Sequence, residues 1–153
     1  FINAFSDAID SDFSKGSIRN CTFYNIGNDA IDISGTNISI QNVFIDNAKD
    51  KGISIGEKSY LVGEDIEIIN SHIGIACKDL SSAQLSKINI SHSTLGLACY
   101  QKKSEFGPAK IEVNYSQLKE ILHPYYIDND SGISFNKKKL SIVSIPNIQE
   151  IFK

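Results

Sequence analysis

Five short apolar segments follow one another at a constant spacing of 22 residues: Ala8-Ile9, Ala30-Ile31, Gly52-Ile53, Gly74-Ile75 and Gly96-Leu97. Two positions beyond each Ile or Leu stand Ser11, Ile33, Ile55, Cys77 and Cys99, and between them Asp10, Asp32, Ser54, Ala76 and Ala98. Apolar positions thus alternate with polar or small ones, the pattern of a strand with one buried face. Further strand-like pieces recur in each unit: Ile18, Cys21 and Phe23 return as Ile40, Val43 and Ile45, and Ile66 and Ile68 return as Ile88 and Ile90. The later set is shifted by one residue while the total spacing is kept, so one turn has lengthened and another has shortened. Asn20 recurs as Asn42 and Asn25 as Asn47; Asn tolerates the left-handed backbone region and suits repeated tight bends.

A unit of this length with three short strands cannot enclose a core alone, but stacked units can. If each unit is one coil, equivalent residues lie on neighbouring parallel strands about 4.8 Å apart. Ile9, Ile31, Ile53, Ile75 and Leu97 then form an aliphatic column inside a parallel β-helix. Leucine-rich repeats share the period, but their Leu-x-x-Leu-x-Leu signature is missing. A sandwich needs alternating hairpin turns and would not keep one register. The outward position Ser54 is expected to tolerate Asp, whereas Asp at Ile53 is expected to prevent folding.

Composition narrows the partners. The chain has 153 residues, 41% hydrophobic and 22% charged, which suits one compact domain or a piece of a longer one. Its net charge of -3 argues against a nucleic-acid binder, whose affinity comes mainly from neutralising phosphates. No apolar run reaches the ~20 residues of a membrane span, and no signal-peptide pattern is present. Three Cys do not make a disulfide scaffold. Cys77 and Cys99 fall on equivalent inward positions and read as stacked thiols, with Cys21 inward in place of Val43. With no Met at residue 1, the chain reads as a mature fragment or an excised domain.

The fold class is therefore all-β: a right-handed parallel β-helix with an irregular C-terminal coil and a cap containing short helices. Residues 1–103 are the coils and 104–153 the irregular last coil and cap, in the same domain. Gly132-Ile133-Ser134-Phe135 reads as one more rung after an excursion. Ser116 reads as the cap of a helix presenting Leu118, Ile121 and Leu122. Lys137-Lys138-Lys139 reads as a solvated turn, Leu140 to Ile145 as a strand, and Pro146 as the start of a last helix with Ile148 and Ile151 inward. No cap precedes Phe1, so further coils are expected upstream, and the open first coil could pair end to end with a second copy.

Ser6-Asp7-Ala8-Ile9-Asp10, Asn28-Asp29-Ala30-Ile31-Asp32-Ile33 and Lys51-Gly52-Ile53-Ser54-Ile55-Gly56 resemble the right-handed parallel β-helix repeats of the pectin-lyase-like superfamily, over roughly residues 5–103. That superfamily contains pectate, alginate and chondroitin lyases, polygalacturonases, uronan epimerases, phage tailspikes and non-catalytic surface proteins. The resemblance implies a secreted, cell-surface or periplasmic location and an acidic polysaccharide partner. Polygalacturonases carry Asn-Thr-Asp, Asp-Asp and Gly-His-Gly on matching strands. Here those positions read Phe5-Ser6-Asp7, Asn28-Asp29 and Asp50-Lys51-Gly52, so Asp7 and Asp29 match while Asn28 and Lys51 depart. An inverting glycosidase needs two carboxyl groups around the bond, and these departures point to a lyase sooner than to a hydrolase. By analogy, a Lys would take the proton beside a uronate carboxylate that a cation holds.

Register groups the remaining chemistry on one outer face. Asp7, Asp29 and Lys51 precede successive strands, with Asn28, Asp50 and His72 one position earlier. Asp7, Asp29, Lys51 and His72 are the candidate reacting groups, a carboxylate beside Lys or His being suited to acid/base work. Asp10 over Asp32 is a like-charge pair that favours a raised pKa, a nearby cation or a bound metal. With Asp12 or Asp7 it makes a carboxylate-rich candidate Ca²⁺ site; otherwise these are hydrated surface acids. Lys78, Tyr100 and Lys102 continue the face as candidate sugar contacts, a ring between ammonium groups. Against this stands a non-catalytic scaffold for adhesion or spacing, in which the same acids only solubilise the solenoid. There is no Cys-x-x-Cys, no His-x-x-x-His, no Gly-rich phosphate loop and no Gly-x-Ser-x-Gly elbow. Asn-x-Ser/Thr triplets start at Asn20, Asn37, Asn89, Asn114 and Asn129, as chance allows at Asn- and Ser-rich turns, and none is assigned as glycosylated.

Overall fold

The computed structural model describes residues 1–128, 130–143 and 145–152; the triplet at Asn129 and the expected strand position Ser144 lie outside them. Each coil contributes a short strand and a long one. These are β1 (Ile9–Asp12) and β2 (Lys15–Ile26), β3 (Ile31–Ser34) and β4 (Asn37–Ala48), β5 (Lys51–Gly56) and β6 (Tyr60–Ile69), then β7 (Ile73–Lys78) and β8 (Ser82–Ser91). The next coil holds β9 (Leu95–Tyr100), β10 (Lys110–Asn114) and β11 (Gln117–Lys119). Last come β12 (His123–Ile127), β13 (Gly132–Phe135), β14 (Lys138–Lys139) and the single-turn helix α1 (Ile148–Ile151). The short strands stack in the order β1-β3-β5-β7-β9-β12, and the long ones as β14-β13-β10-β8-β6-β4-β2, with β11 on β8. Every pairing is parallel except β13 with β14.

The expected column forms. Ile9 lies opposite Ile31, Ile31 opposite Ile53, Ile53 opposite Ile75 and Ile75 opposite Leu97. Ile31, Ile53, Ile75 and Leu97 are fully buried, in one core cluster with Phe23, Ile45, Ile68 and Ile90 from the long strands. Each such side chain contributes roughly 1.5–3 kcal/mol by leaving water. The long strands fold sharply at left-handed residues. Asn20 and Asn42 (φ 53 for both) make one bend, and Asn25, Asn47 and Asn70 (φ 54, 64 and 55) another. Their amides stack along the axis, Asn42 Nδ2 donating to Asn20 Oδ1 at 2.7 Å and Asn47 Nδ2 to Asn25 Oδ1 at 2.9 Å. The one-residue shift is a second left-handed residue in the turn after β5, where Glu57 and Lys58 stand where the previous coil has Gly35.

Three sequence expectations are corrected. Gly132–Phe135 does not extend the Ile column: it pairs with β10 in the eight-stranded sheet, and the next rung over β9 is β12, with Tyr125 opposite Leu97. Ser116 caps no helix. Its hydroxyl accepts the Ile88 N–H at 2.8 Å and donates to the Asn114 carbonyl at 2.8 Å, while Leu118 lies opposite Ile90 in β11, so solenoid pairing outweighs a local helix. Of the expected strand from Leu140 onward, residues 140–143 form none. The terminal helix is a single turn, and it lies on the outer face of the six-stranded sheet: Ile145, Ile148, Ile151 and Phe152 cluster with Ile73, Ala76, Leu95, Ala98 and Tyr100. The three lysines are exposed as expected, but only Lys137 lies in the turn, with Asn136 and Lys137 left-handed (φ 49 and 67), while Lys138 and Lys139 form β14. At the first coil, β1 keeps one open edge among the described residues, and β2 is covered there only by residues 1–3, which bridge it at Tyr24. Phe5 (99% exposed) and Phe13 (83%) lie beside those edges, on the surface where the expected end-to-end pairing would form.

Candidate functional site: the outer face of the six-stranded sheet

Asp7 and Asp29 are held by the turns that lead into β1 and β3, and the structure shows what they bind. Asp7 Oδ1 accepts the Asp29 N–H at 2.8 Å and the Asn28 side-chain amide at 2.7 Å. One coil on, Asp29 Oδ1 accepts the Lys51 N–H at 2.9 Å and the Lys51 ammonium at 3.4 Å, and that ammonium also binds Asp50. Each carboxylate therefore caps a backbone donor of the next coil. A hydroxyl series at the opposite turn runs the other way, each capping a donor of the preceding coil: Thr36, Ser59 and Ser81 accept the N–H of Ser14, Thr36 and Ser59 at 3.1, 3.0 and 3.1 Å.

Burial sets the electrostatics. Asp29 is 3% exposed, and desolvation, opposed by Lys51 and reinforced by Asp50, pushes its carboxyl up to about 6. Desolvation works against the Lys51 charge too, yet Asp29 and Asp50 together raise its pKa. Lys51 is therefore an ammonium at neutral pH, suited to holding an anion and unsuited to removing a proton.

Lys78 differs. It projects outward from β7, and its Nζ donates to Ser54 Oγ at 2.9 Å. Burial lowers its pKa, with the Asp32 charge opposing. No carboxylate lies within ion-pair distance of it among the described residues. Ser54 is consequently fully buried, which corrects its reading as an open outer position.

The structure brings some candidates together and separates others. Asp29, Asp50 and Lys51 form one hydrogen-bonded group. Asp10 lies opposite Asp32, and Asp12 opposite Ser34. The Asp10 carboxyl is raised by partial desolvation and by repulsion from Asp12, Asp32 and Asp7. Among the described residues no group of three or more His, Cys, Asp or Glu side chains is placed to hold a metal ion. His72 bonds neither Asp50 nor Lys51; its Nε2 lies 3.0 Å from the Ile151 carbonyl. Tyr100, opposite Lys78 in register, is 8% exposed under Phe152, whose ring stacks on it at 4.5 Å and 28°. Lys102 is exposed on the excursion loop. Its N–H and that of Lys103 both donate to Asp79 Oδ1 at 2.7 Å. His92 Nε2 lies 2.7 Å from Glu120 Oε2.

Sequence reasoning missed Asp79 and, though it expected a terminal cap, the face of the sheet that the cap covers. Asp79 is fully buried, left-handed (φ 57), and anchors the excursion loop. The cover had a signal: Ile73-Gly74-Ile75-Ala76-Cys77 and Leu95-Gly96-Leu97-Ala98-Cys99 are apolar on both faces, as strands buried on both sides are.

A stack of parallel rungs with side-chain ladders at its turns defines the class, a parallel β-solenoid repeat protein. A family model described as a right-handed beta helix region matches residues 3–144, and the chain belongs to that family. No curated protein and no solved structure matches it.

Proposed function

We propose that this β-helix domain binds an acidic polysaccharide across the outer face of the six-stranded sheet, without cleaving it. The observation that carries the reading is Lys78, a largely buried ammonium bonded to a neutral hydroxyl and lacking a carboxylate partner among the described residues. A desolvated cation in that position is stabilised by an incoming carboxylate, such as that of a uronate. Lys51 adds a second ammonium and the Asp10–Asp32 pair a place where Ca²⁺ could bridge protein and sugar. Proton removal finds less support, since Lys51 keeps its proton and Asp7 and Asp29 spend their inner oxygens on the turn ladder. This reading puts the domain at the cell surface, in the periplasm or outside the cell.

Calorimetric titration with oligogalacturonate, oligoalginate and heparin oligosaccharides, with and without Ca²⁺, tests it. Saturable binding is expected, weakened by salt and lost in Lys78→Met, with no unsaturated uronate in the ultraviolet spectrum. A rising unsaturated product that disappears in Lys51→Ala would make the protein a lyase. Absence of binding to every sugar would leave the non-catalytic scaffold.

A further inference from the structure

The earlier rungs turn Asp10, Asp32 and Ser54 outward, but β7 and β9 present Ala76 and Ala98 there, small side chains that make a flat apolar floor. Tyr100 and Tyr126 stand at its rim, edge to face at 6.3 Å. Phe152 fills the angle between them, stacked on Tyr100 at 4.5 Å and edge-on to Tyr126 at 5.5 Å. An apolar six-membered ring laid on an aromatic face is also how a pyranose presents its C–H face to a tyrosine. Beside it, the Ile151 carbonyl meets His72 Nε2; a carbonyl only accepts, so this nitrogen carries the proton and could equally donate to a sugar oxygen. Lys78 is the register neighbour of Tyr100, although its ammonium reaches the other way, to Ser54 on β5; a sugar chain whose carboxylate meets Lys78 would cross β7 and bring a neighbouring ring over Tyr100.

The cover is shallow. The helix is one turn with no fully buried residue, and residues 141–143 leading to it are exposed. We propose that residues 145–152 form a displaceable strap holding Phe152 in a sugar-ring subsite on Tyr100, and that an acidic polysaccharide binds by displacing it. The inference rests on the reading of Lys78 as the carboxylate site.

The test uses the whole chain carrying Phe152→Ala with Ile148→Ser, titrated with oligogalacturonate, oligoalginate and heparin oligosaccharides. Hydrogen exchange of the strap amides reports its release independently of sugar. Release should tighten binding by about tenfold, the inverse of the open fraction in the wild type, and adding Tyr100→Ala should cancel the gain. Ile148→Ser alone serves if the double variant does not fold. Equal affinity of released and wild-type proteins, with both lost on Lys78→Met, would overturn the strap and keep the site. No binding by either protein, with the strap shown to be released, would overturn strap and site together.

Discussion

Asp29 gives the stability of this fold an unusual dependence on pH. Its buried carboxyl is pushed from an ordinary 3.8 up to about 6, chiefly by desolvation. Between those values the unfolded chain has released a proton that the folded chain keeps, so this group makes stability fall as pH rises. The interval, at about 1.4 kcal/mol per pH unit, comes to about 3 kcal/mol, present in full below about pH 4 and lost above about pH 6. Other acids run the opposite way: hydrogen bonds from Lys103 and Ser34 hold Glu57 below its ordinary range. The measurement therefore compares the wild type with Asp29→Asn, which keeps an oxygen for the Lys51 N–H and cannot titrate. Urea unfolding across the window should show the wild type losing about 3 kcal/mol relative to the variant from acid to neutral pH. Parallel profiles for the two proteins would refute the argument that burial outweighs the Lys51 charge at this carboxyl.

Ile53, fully buried between Ile31 and Ile75, should lose about 2–5 kcal/mol on replacement by Ala and fail to fold as Asp, read from urea melts and soluble yield. Gly74→Ala would set a Cβ 2.6 Å from the Gly96 carbonyl oxygen and 2.7 Å from Ile90 Cγ2, costing about 1–3 kcal/mol. Gly16→Ala, with nothing within 4 Å, should leave the urea midpoint unchanged or slightly higher. Burial pushes the Cys99 thiol up to about 12 and raises that of Cys77 as well, while Cys21 is half-exposed. A thiol reagent should therefore label one cysteine quickly in the native protein and the other two only in denaturant; fast labelling of Cys77 or Cys99 would show that the solenoid interior opens readily.

Ser54 shows how far the site could be read in advance. Its register was legible, because alternation and the repeat place it between Asp32 and Ala76. Its burial was not, because that depends on the reach of Lys78 from the next strand. The same holds for Asp29: an acid preceding a strand is visible in the chain, whereas the N–H it caps belongs to a residue one coil away. Gly132–Phe135 was misassigned because a four-residue alternating segment fits either sheet. Only the lengths of the intervening loops, and the docking of β10 and β11 on β8, decide between them.

Periodicity, side-chain alternation and the placement of Asn at bends suffice for the solenoid and for the Ile column, since every coil meets the same neighbours and one pattern repeated five times leaves a single register that buries it. The cover over Tyr100, the partner of His72 and the desolvation of Lys78 come from a segment outside the repeat folding back on it. Such contacts are formed once, between positions far apart in the chain, and they leave no period to read.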